Sequence, residues 1–136
     1  MMDIFAPYAH AIASLAIWPL IITVLSMVAT RGLTPENRTE SGQPRRNYDD
    51  RAYRAHRAFM NALEASGPFI AAVLAAILSG ASPVWVNIFA SVFIVSRIAV
   101  AFVHIGTTNQ PMRSLVWMVG LISILGLVVM ALMAVL

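Results

Sequence analysis

The chain lacks two residue types that many proteins use for chemistry. Cysteine is absent from its 136 residues, which excludes disulfides, a cysteine nucleophile and thiolate metal ligands. Any thiol chemistry must therefore use a sulfur that a substrate brings. Lysine is absent too, so all nine basic residues are arginines, whose planar guanidinium suits carboxylates and keeps its charge when buried.

Charge is scarce and apolar residues are abundant. Charged residues make up 11% of the chain and hydrophobic residues 60%, whereas soluble domains carry about a quarter charged residues. A globule of this size could not bury so much apolar surface in water. The apolar runs exceed strand length and lack the alternation of a membrane barrel. We therefore predict an all-α integral membrane protein.

Four apolar runs are long enough to cross a bilayer. The first has no basic stretch before it and is too long for a signal-peptide core, so we expect it to be retained as a helix that Pro19 kinks. Residues 1–136 are thus predicted to form a single four-helix transmembrane domain. Its predicted helices span about 4–30, 53–79, 84–106 and 111–136, with a loop at about 31–52.

Arginine bias predicts the orientation of the chain in the membrane. Five arginines lie in the first loop, and the third connection leads into Arg113, whereas the second turn and both termini carry none. Because arginine-rich connections stay in the cytoplasm, we expect both termini on the non-cytoplasmic side. These arginines lie beside membrane segments and among acids, so they do not indicate a nucleic-acid partner.

Polar residues follow one face of the second predicted helix. Arg54, Arg57, Asn61 and Glu64 are spaced three, four and three residues apart, which aligns them along a helix. Pro68 continues the stripe and removes the amide that would bond the carbonyl of Glu64. Polar groups within membrane spans are costly, so the stripe indicates a function. An interhelical polar clasp that fixes assembly is the alternative.

A further arginine lies inside the third span. Arg97 precedes Gly106 by nine residues, or roughly 14 Å of helix. Glu64 is expected at a comparable depth, and a lone buried arginine would be destabilising. We therefore predict a buried pair between Arg97 and Glu64.

The fourth span begins with a candidate anion site. Arg113 and Ser114 follow Pro111 in its first turn, where free amides and the positive end of the helix dipole attract anions. Such a cluster could stabilise a thiolate on a ligand. Alternatively, Arg113 extends to the headgroups and Ser114 is an ordinary helix-start residue.

These motifs resemble those of a known family. The stretch from Arg54 to Glu64, followed by Pro68, resembles the second-helix signature of the MAPEG family, the membrane-associated proteins in eicosanoid and glutathione metabolism. A second match includes Ser96-Arg97, Ile105-Gly106 and Pro111-Met112-Arg113-Ser114. The resemblance covers residues from about 53 to 117. Within the family, the chain resembles a bacterial-type member of the microsomal glutathione transferase kind.

The resemblance implies a homotrimer of four-helix protomers in a bacterial inner membrane. Glutathione would be the co-substrate, bound between protomers on the cytoplasmic side, and the second substrate would be a lipophilic small molecule from the surrounding membrane lipids. By resemblance, Arg113 and Ser114 are the catalytic residues at the thiolate. The residues implied to bind glutathione are Arg54, Arg57, Asn61, Glu64, Arg97, His104 and Trp117.

Three positions depart from the family pattern. His104 stands where many catalytic members carry a tyrosine, and Trp117 where another ligand-contacting tyrosine is expected. Asn109 replaces a basic residue of the prostaglandin synthase branch, which argues against eicosanoid specificity. Without the resemblance, His104 and Trp117 would be interpreted as residues at the lipid headgroups.

The leading hypothesis is a membrane-bound glutathione-dependent transferase or peroxidase for lipophilic electrophiles or lipid hydroperoxides. The alternative is a non-catalytic MAPEG-like protein that binds a lipid or another anionic ligand. A small transporter is a third class, but the polar residues crowd one half of the membrane instead of lining a through-path. No two histidines show metal-ligand spacing, so no metal is expected.

Overall fold

Four long helices form the protein in a computed structural model, which describes the backbone of residues 2–136 and the side chains of residues 4–136. A short helix and a 3-10 turn lead into the first of them. All four are long and apolar enough to cross a membrane, and the described residues contain no strand, which confirms the predicted fold class. The elements are α1 (Met2–Phe5), the turn Ala6–Tyr8, α2 (Ala9–Arg31), α3 (Arg51–Leu78), α4 (Pro83–Gly106) and α5 (Gln110–Val135).

Local sequence signals explain where the helices begin. The Asp50 side chain accepts a hydrogen bond from the amide of Ala52 at 2.8 Å and starts α3 at Arg51, two residues before the predicted 53. The Asn109 side chain likewise accepts from the amide of Met112 at 3.0 Å and caps α5. Side-chain caps of this kind satisfy amides that a first helical turn leaves free.

Aromatic packing holds the middle of the bundle. The fully buried rings of Phe69 in α3 and Phe93 in α4 stack at 3.8 Å, and the ring of Trp18 in α2 meets Phe93 edge-on at 5.1 Å. The Trp18 indole also donates to the Ser66 hydroxyl at 3.0 Å. This core joins three helices, and α2 runs through Pro19 without interruption.

Small residues allow α3 to approach its neighbours closely. Its buried face carries alanines along nearly its whole length, and this face packs into the bundle. The polar stripe therefore lies beside the buried face, on positions where longer side chains have room. The buried alanines of α3 are Ala52, Ala55, Ala58, Ala62, Ala65, Ala72 and Ala76.

Side-chain hydrogen bonds fasten the end of the bundle where α2 begins. The Tyr8 hydroxyl donates to the carbonyl of Ala81 at 2.5 Å. The Asn87 side chain accepts from the amide of Ala11 at 2.9 Å and donates to the carbonyl of Pro7 at 2.7 Å. We call these five residues the N-terminal clasp, which ties the start of α2 to the α3–α4 turn and the first turns of α4.

Candidate functional site

A polar cavity lies at the opposite end, where α4 finishes and α5 begins. Its volume is ≈ 220 Å³, and the long loop, α3, α4 and α5 all contribute to its walls. It brings together six of the nine residues that the sequence singled out. The lining residues are Tyr48, Arg57, Asn61, Val100, His104, Arg113, Ser114 and Trp117.

Helical spacing delivers most of these side chains in pairs. Arg57 and Asn61 are four residues apart on α3, and Val100 and His104 are four apart on α4, so each pair lies on one helix face. Arg113 and Ser114 are the fourth and fifth residues of α5, and Trp117 follows one turn after Arg113. The cavity is therefore a direct product of three helix faces that converge at one end of the bundle.

Tyr48 is the residue that sequence reasoning missed. Its ring lies 5.4 Å from the guanidinium carbon of Arg113, a cation–π distance, and meets the ring of Tyr53 edge-on at 5.1 Å. Tyr48 belongs to the arginine-rich loop, whose path has no periodic signal. The only signal was an aromatic residue a few positions before the capped start of α3.

Within the protomer, Arg54 bonds to backbone carbonyls of the loop and of α4. Its Nη1 atom donates to the carbonyls of Tyr48 at 2.6 Å and Asp49 at 2.9 Å, and its Nε atom donates to the carbonyl of Ile105 at 3.1 Å. Arg54 does not line the cavity. Because its donors are committed to backbone, it joins the loop to the end of α4 and so positions the ring of Tyr48.

The predicted pair of Arg97 and Glu64 is wrong within the protomer. Arg97 is 4% exposed, and its Nη1 atom donates instead to the Asn61 side-chain oxygen at 2.9 Å, while its guanidinium carbon lies 5.1 Å from the centre of the Phe93 ring. Glu64 is exposed on the protomer surface. Three residues fall short of a full helical turn, which rotates Glu64 away from the direction of Asn61.

A glycine of α5 makes room for Arg97. A Cβ atom at Gly120 would lie 2.8 Å from the Ser96 hydroxyl oxygen and 3.0 Å from both Nε and Nη2 of Arg97. Those distances are shorter than van der Waals contact allows, so only glycine fits at this position without displacing Arg97. Gly120 therefore leaves the space that the Arg97 guanidinium occupies while Arg97 donates to Asn61.

His104 is buried in the cavity wall and is not a headgroup residue. Its side chain is 6% exposed, and within the described residues neither ring nitrogen has a hydrogen-bond partner. The charged side chains that share the cavity lining with it are Arg57 on α3 and Arg113 at the start of α5. His104 is thus a buried imidazole without a hydrogen-bond partner that borders the cavity.

The lining has the chemistry of an anion-binding site. Its polar groups are two guanidiniums, one carboxamide, the Ser114 hydroxyl, the Tyr48 phenol and the His104 imidazole, and no carboxylate lines it among the described residues. The first turn of α5 adds the positive end of a helix dipole. Guanidiniums bind carboxylates through paired, charge-assisted hydrogen bonds, so the cavity can hold a ligand that carries them.

Four membrane-length helices with an arginine-lined cavity at one end define an integral membrane protein of the all-α class. Its sequence specifies the family: the chain belongs to the MAPEG family, whose family model matches residues 6–133, nearly the whole chain. The match extends beyond residues 53–117, which carry the resemblance, to the first and last long helices. Neither a curated protein nor a solved structure matches the chain.

Proposed function

We propose that this protein is a membrane-bound glutathione-dependent transferase or peroxidase that acts on lipophilic electrophiles or lipid hydroperoxides. The observation that carries the proposal is the convergence of Arg57, Asn61, Arg113 and Ser114 on one cavity. Membership of the MAPEG family supports it, because this is a family of membrane proteins in glutathione and eicosanoid metabolism. The chain has no cysteine, so the reactive sulfur has to come from a substrate.

The charges and donors of the cavity suit glutathione. This tripeptide carries two carboxylates, which the guanidiniums of Arg57 and Arg113 can pair with, and amide groups that the Asn61 carboxamide can bond. Arg113 and Ser114 lie near the start of α5, where a hydroxyl, a cation and the helix dipole together favour a thiolate. Glutathione would supply the nucleophilic sulfur when bound.

An apolar groove beside the cavity supports a lipophilic second substrate. It has a volume of ≈ 440 Å³ and runs between α4 and α5, the same helices that provide His104, Arg113 and Ser114. Since it is formed by membrane-spanning helices, a nonpolar electrophile could enter it from lipid. Bringing such a reactant close to a polar thiol is itself a large part of catalysis. Its lining residues are Ser91, Val92, Val95, Ser96, Ala99, Leu115, Val116 and Val119.

Glu64 supports assembly with further copies of the chain. Within the described residues its carboxylate has no hydrogen-bond or ion-pair partner, and it lies exposed on a membrane-spanning helix. A carboxylate at that depth is costly unless another group satisfies it. We propose that the partner is a neighbouring protomer or the glutathione bound there, as in the homotrimer that the resemblance implies.

The arginines also support an orientation. The cavity lies at the end of the bundle that carries the loop arginines and Arg113. By the positive-inside rule we propose that this end faces the cytoplasm of a bacterial inner membrane, with both termini on the other side. Glutathione would then enter the cavity from the cytoplasm.

Removal of one guanidinium from the cavity tests the proposed function. We expect glutathione to raise the melting temperature of the purified protein and to produce thiolate absorbance in the ultraviolet. Arg113→Ala should lose both effects, whereas Arg45→Ala, which removes the same charge from an exposed loop position, should keep them. Failure of the unmodified protein to respond to glutathione would overturn the proposal.

The second candidate function is binding of an anionic lipid without catalysis, and the apolar part of the cavity lining favours it. Trp117 and Val100 give the cavity an apolar side, which would suit the glycerol and acyl region of an anionic lipid whose phosphate meets the arginines. Vesicles of phosphatidylglycerol should then raise the melting temperature where glutathione does not. The opposite pattern favours the transferase.

A further inference from the structure

His104 is the part of the cavity that the proposed function leaves unused. It lies in the last turns of α4 with 6% of its side chain exposed, and within the described residues both ring nitrogens lack a hydrogen-bond partner. Buried polar groups are normally satisfied, so one that borders a cavity indicates that a ligand or water completes it. The imidazole borders this cavity.

His104 also differs chemically from every other lining residue. Arginine stays protonated, the asparagine amide and the serine hydroxyl do not take up protons near neutral pH, and tryptophan only donates. Of the eight side chains that line the cavity, His104 alone can accept a proton in the physiological range.

The surroundings of His104 link proton uptake to ligand binding. The charged side chains that line the cavity together with His104 are Arg57 from α3 and Arg113 from α5, both positive. An imidazolium would add a third positive charge to this lining and would be repelled by the two guanidiniums. A bound anion with two carboxylates offsets that repulsion, so the His104 imidazole can then hold a proton.

We propose that His104 accepts the thiol proton of glutathione, an inference that rests on the proposed function. The S–H bond breaks, its electron pair stays on the sulfur, and the proton forms an N–H bond with the free imidazole nitrogen. Arg113 and Ser114 then stabilise the thiolate. The proton stays in the cavity, where it can pass to the atom that receives the electron pair when the electrophile reacts.

Proton counting tests this role. Glutathione is added to the full-length protein in weakly buffered detergent solution, with thiolate formation followed by absorbance and proton release by a pH indicator. S-Methylglutathione, which has no ionisable thiol, gives the background. We expect the unmodified protein to form thiolate with almost no release of protons, because His104 keeps them.

Two variants of His104 complete the test. His104→Gln and His104→Tyr should each release nearly a full proton for every thiolate that forms, since glutamine and a phenol cannot hold it at neutral pH. His10→Gln, at an exposed position of α2 outside the cavity, should behave as the unmodified protein does. Either variant suffices if the other fails to fold.

The outcomes separate the two proposals. If the unmodified protein forms thiolate and releases a proton for each one, His104 is not the acceptor, although the proposed function stands. If it forms no thiolate and does not bind glutathione, the proposed function fails and this inference fails with it. Retention of protons by both the unmodified protein and the His104 variants would assign the proton to another group and overturn the role of His104.

Discussion

The guanidinium carbon of Arg113 lies 5.4 Å from the centre of the Tyr48 ring, so the first turn of α5 and the arginine-rich loop meet across the mouth of the cavity. The loop reaches this position because Arg54 holds the carbonyls of Tyr48 and Asp49. A loop that appears in the sequence as a solvated connection is thus part of the site. The loop contributes the Tyr48 ring, and Arg54 positions it by bonding to the carbonyls of Tyr48 and Asp49.

Tyr48 should contribute to ligand affinity through its ring. Tyr48→Ala removes the face that restrains Arg113, and a cation–π contact at an exposed site corresponds to about 2- to 5-fold in binding. We expect glutathione to bind more weakly by that factor, measured by isothermal titration calorimetry. Tyr48→Phe keeps the ring and should retain the affinity. Equal losses in both variants would indicate that the hydroxyl, not the ring, is responsible.

Arg54 should stabilise the loop more than it binds ligand. Arg54→Ala breaks three hydrogen bonds to backbone carbonyls, and we expect a loss of stability of about 1–3 kcal/mol. Hydrogen exchange should rise in the segment from 47 to 53. Arg46→Ala removes the same charge from an exposed loop position and is the control. Unchanged exchange in Arg54→Ala would show that the loop is held by other contacts.

Asn61 should have two separable effects, on stability and on charge. Asn61→Ala leaves the buried Arg97 without its acceptor, which should lower thermal stability by about 1.5–3 kcal/mol. Asn61→Asp restores an acceptor for Arg97 but adds a negative charge to the cavity wall. We expect Asn61→Asp to fold stably and to bind glutathione more weakly than the unmodified protein. Tighter binding by Asn61→Asp would contradict an anion site at this position.

Gly120 should affect glutathione binding although it does not line the cavity. Gly120→Ala brings a Cβ within 2.8 Å of the Ser96 hydroxyl and 3.0 Å of the Arg97 guanidinium, and we expect it to lose about 1–3 kcal/mol of stability and to weaken glutathione binding. Gly126→Ala, which meets the Phe89 ring at 2.7 Å, is a matched control on the same helix. It should lower stability without changing affinity. If both variants bind glutathione equally well, Arg97 does not influence the cavity.

The fold was predictable from the sequence because each helix is encoded by a long apolar run. Apolar runs of membrane length and the prolines and turns between them determine four helices. Six of the nine residues that the sequence singled out line one cavity. Arg57 and Asn61 were predictable because four-residue spacing keeps them on one helix face.

The failures concern how the helices are rotated and how the loop is routed. A similar depth in the membrane suggested that Arg97 and Glu64 form a pair. Depth does not give the direction in which a side chain leaves the helix axis, and Arg97 donates to Asn61 instead. The burial of His104 depends on how α4 packs against α3 and α5. Tyr48 reaches the cavity through the loop backbone, which no periodicity describes.

The N-terminal clasp has a consequence for motion. Tyr8 and Asn87 join the beginnings of α2 and α4 and the α3–α4 turn by three hydrogen bonds, so relative displacement of these helices is smallest there. When rigid helices separate about a fixed point, the gap between them grows with distance from that point. The clasp therefore acts as a pivot for α2, α3 and α4, and any widening between these helices is greatest at the opposite end, beside Arg57 and His104.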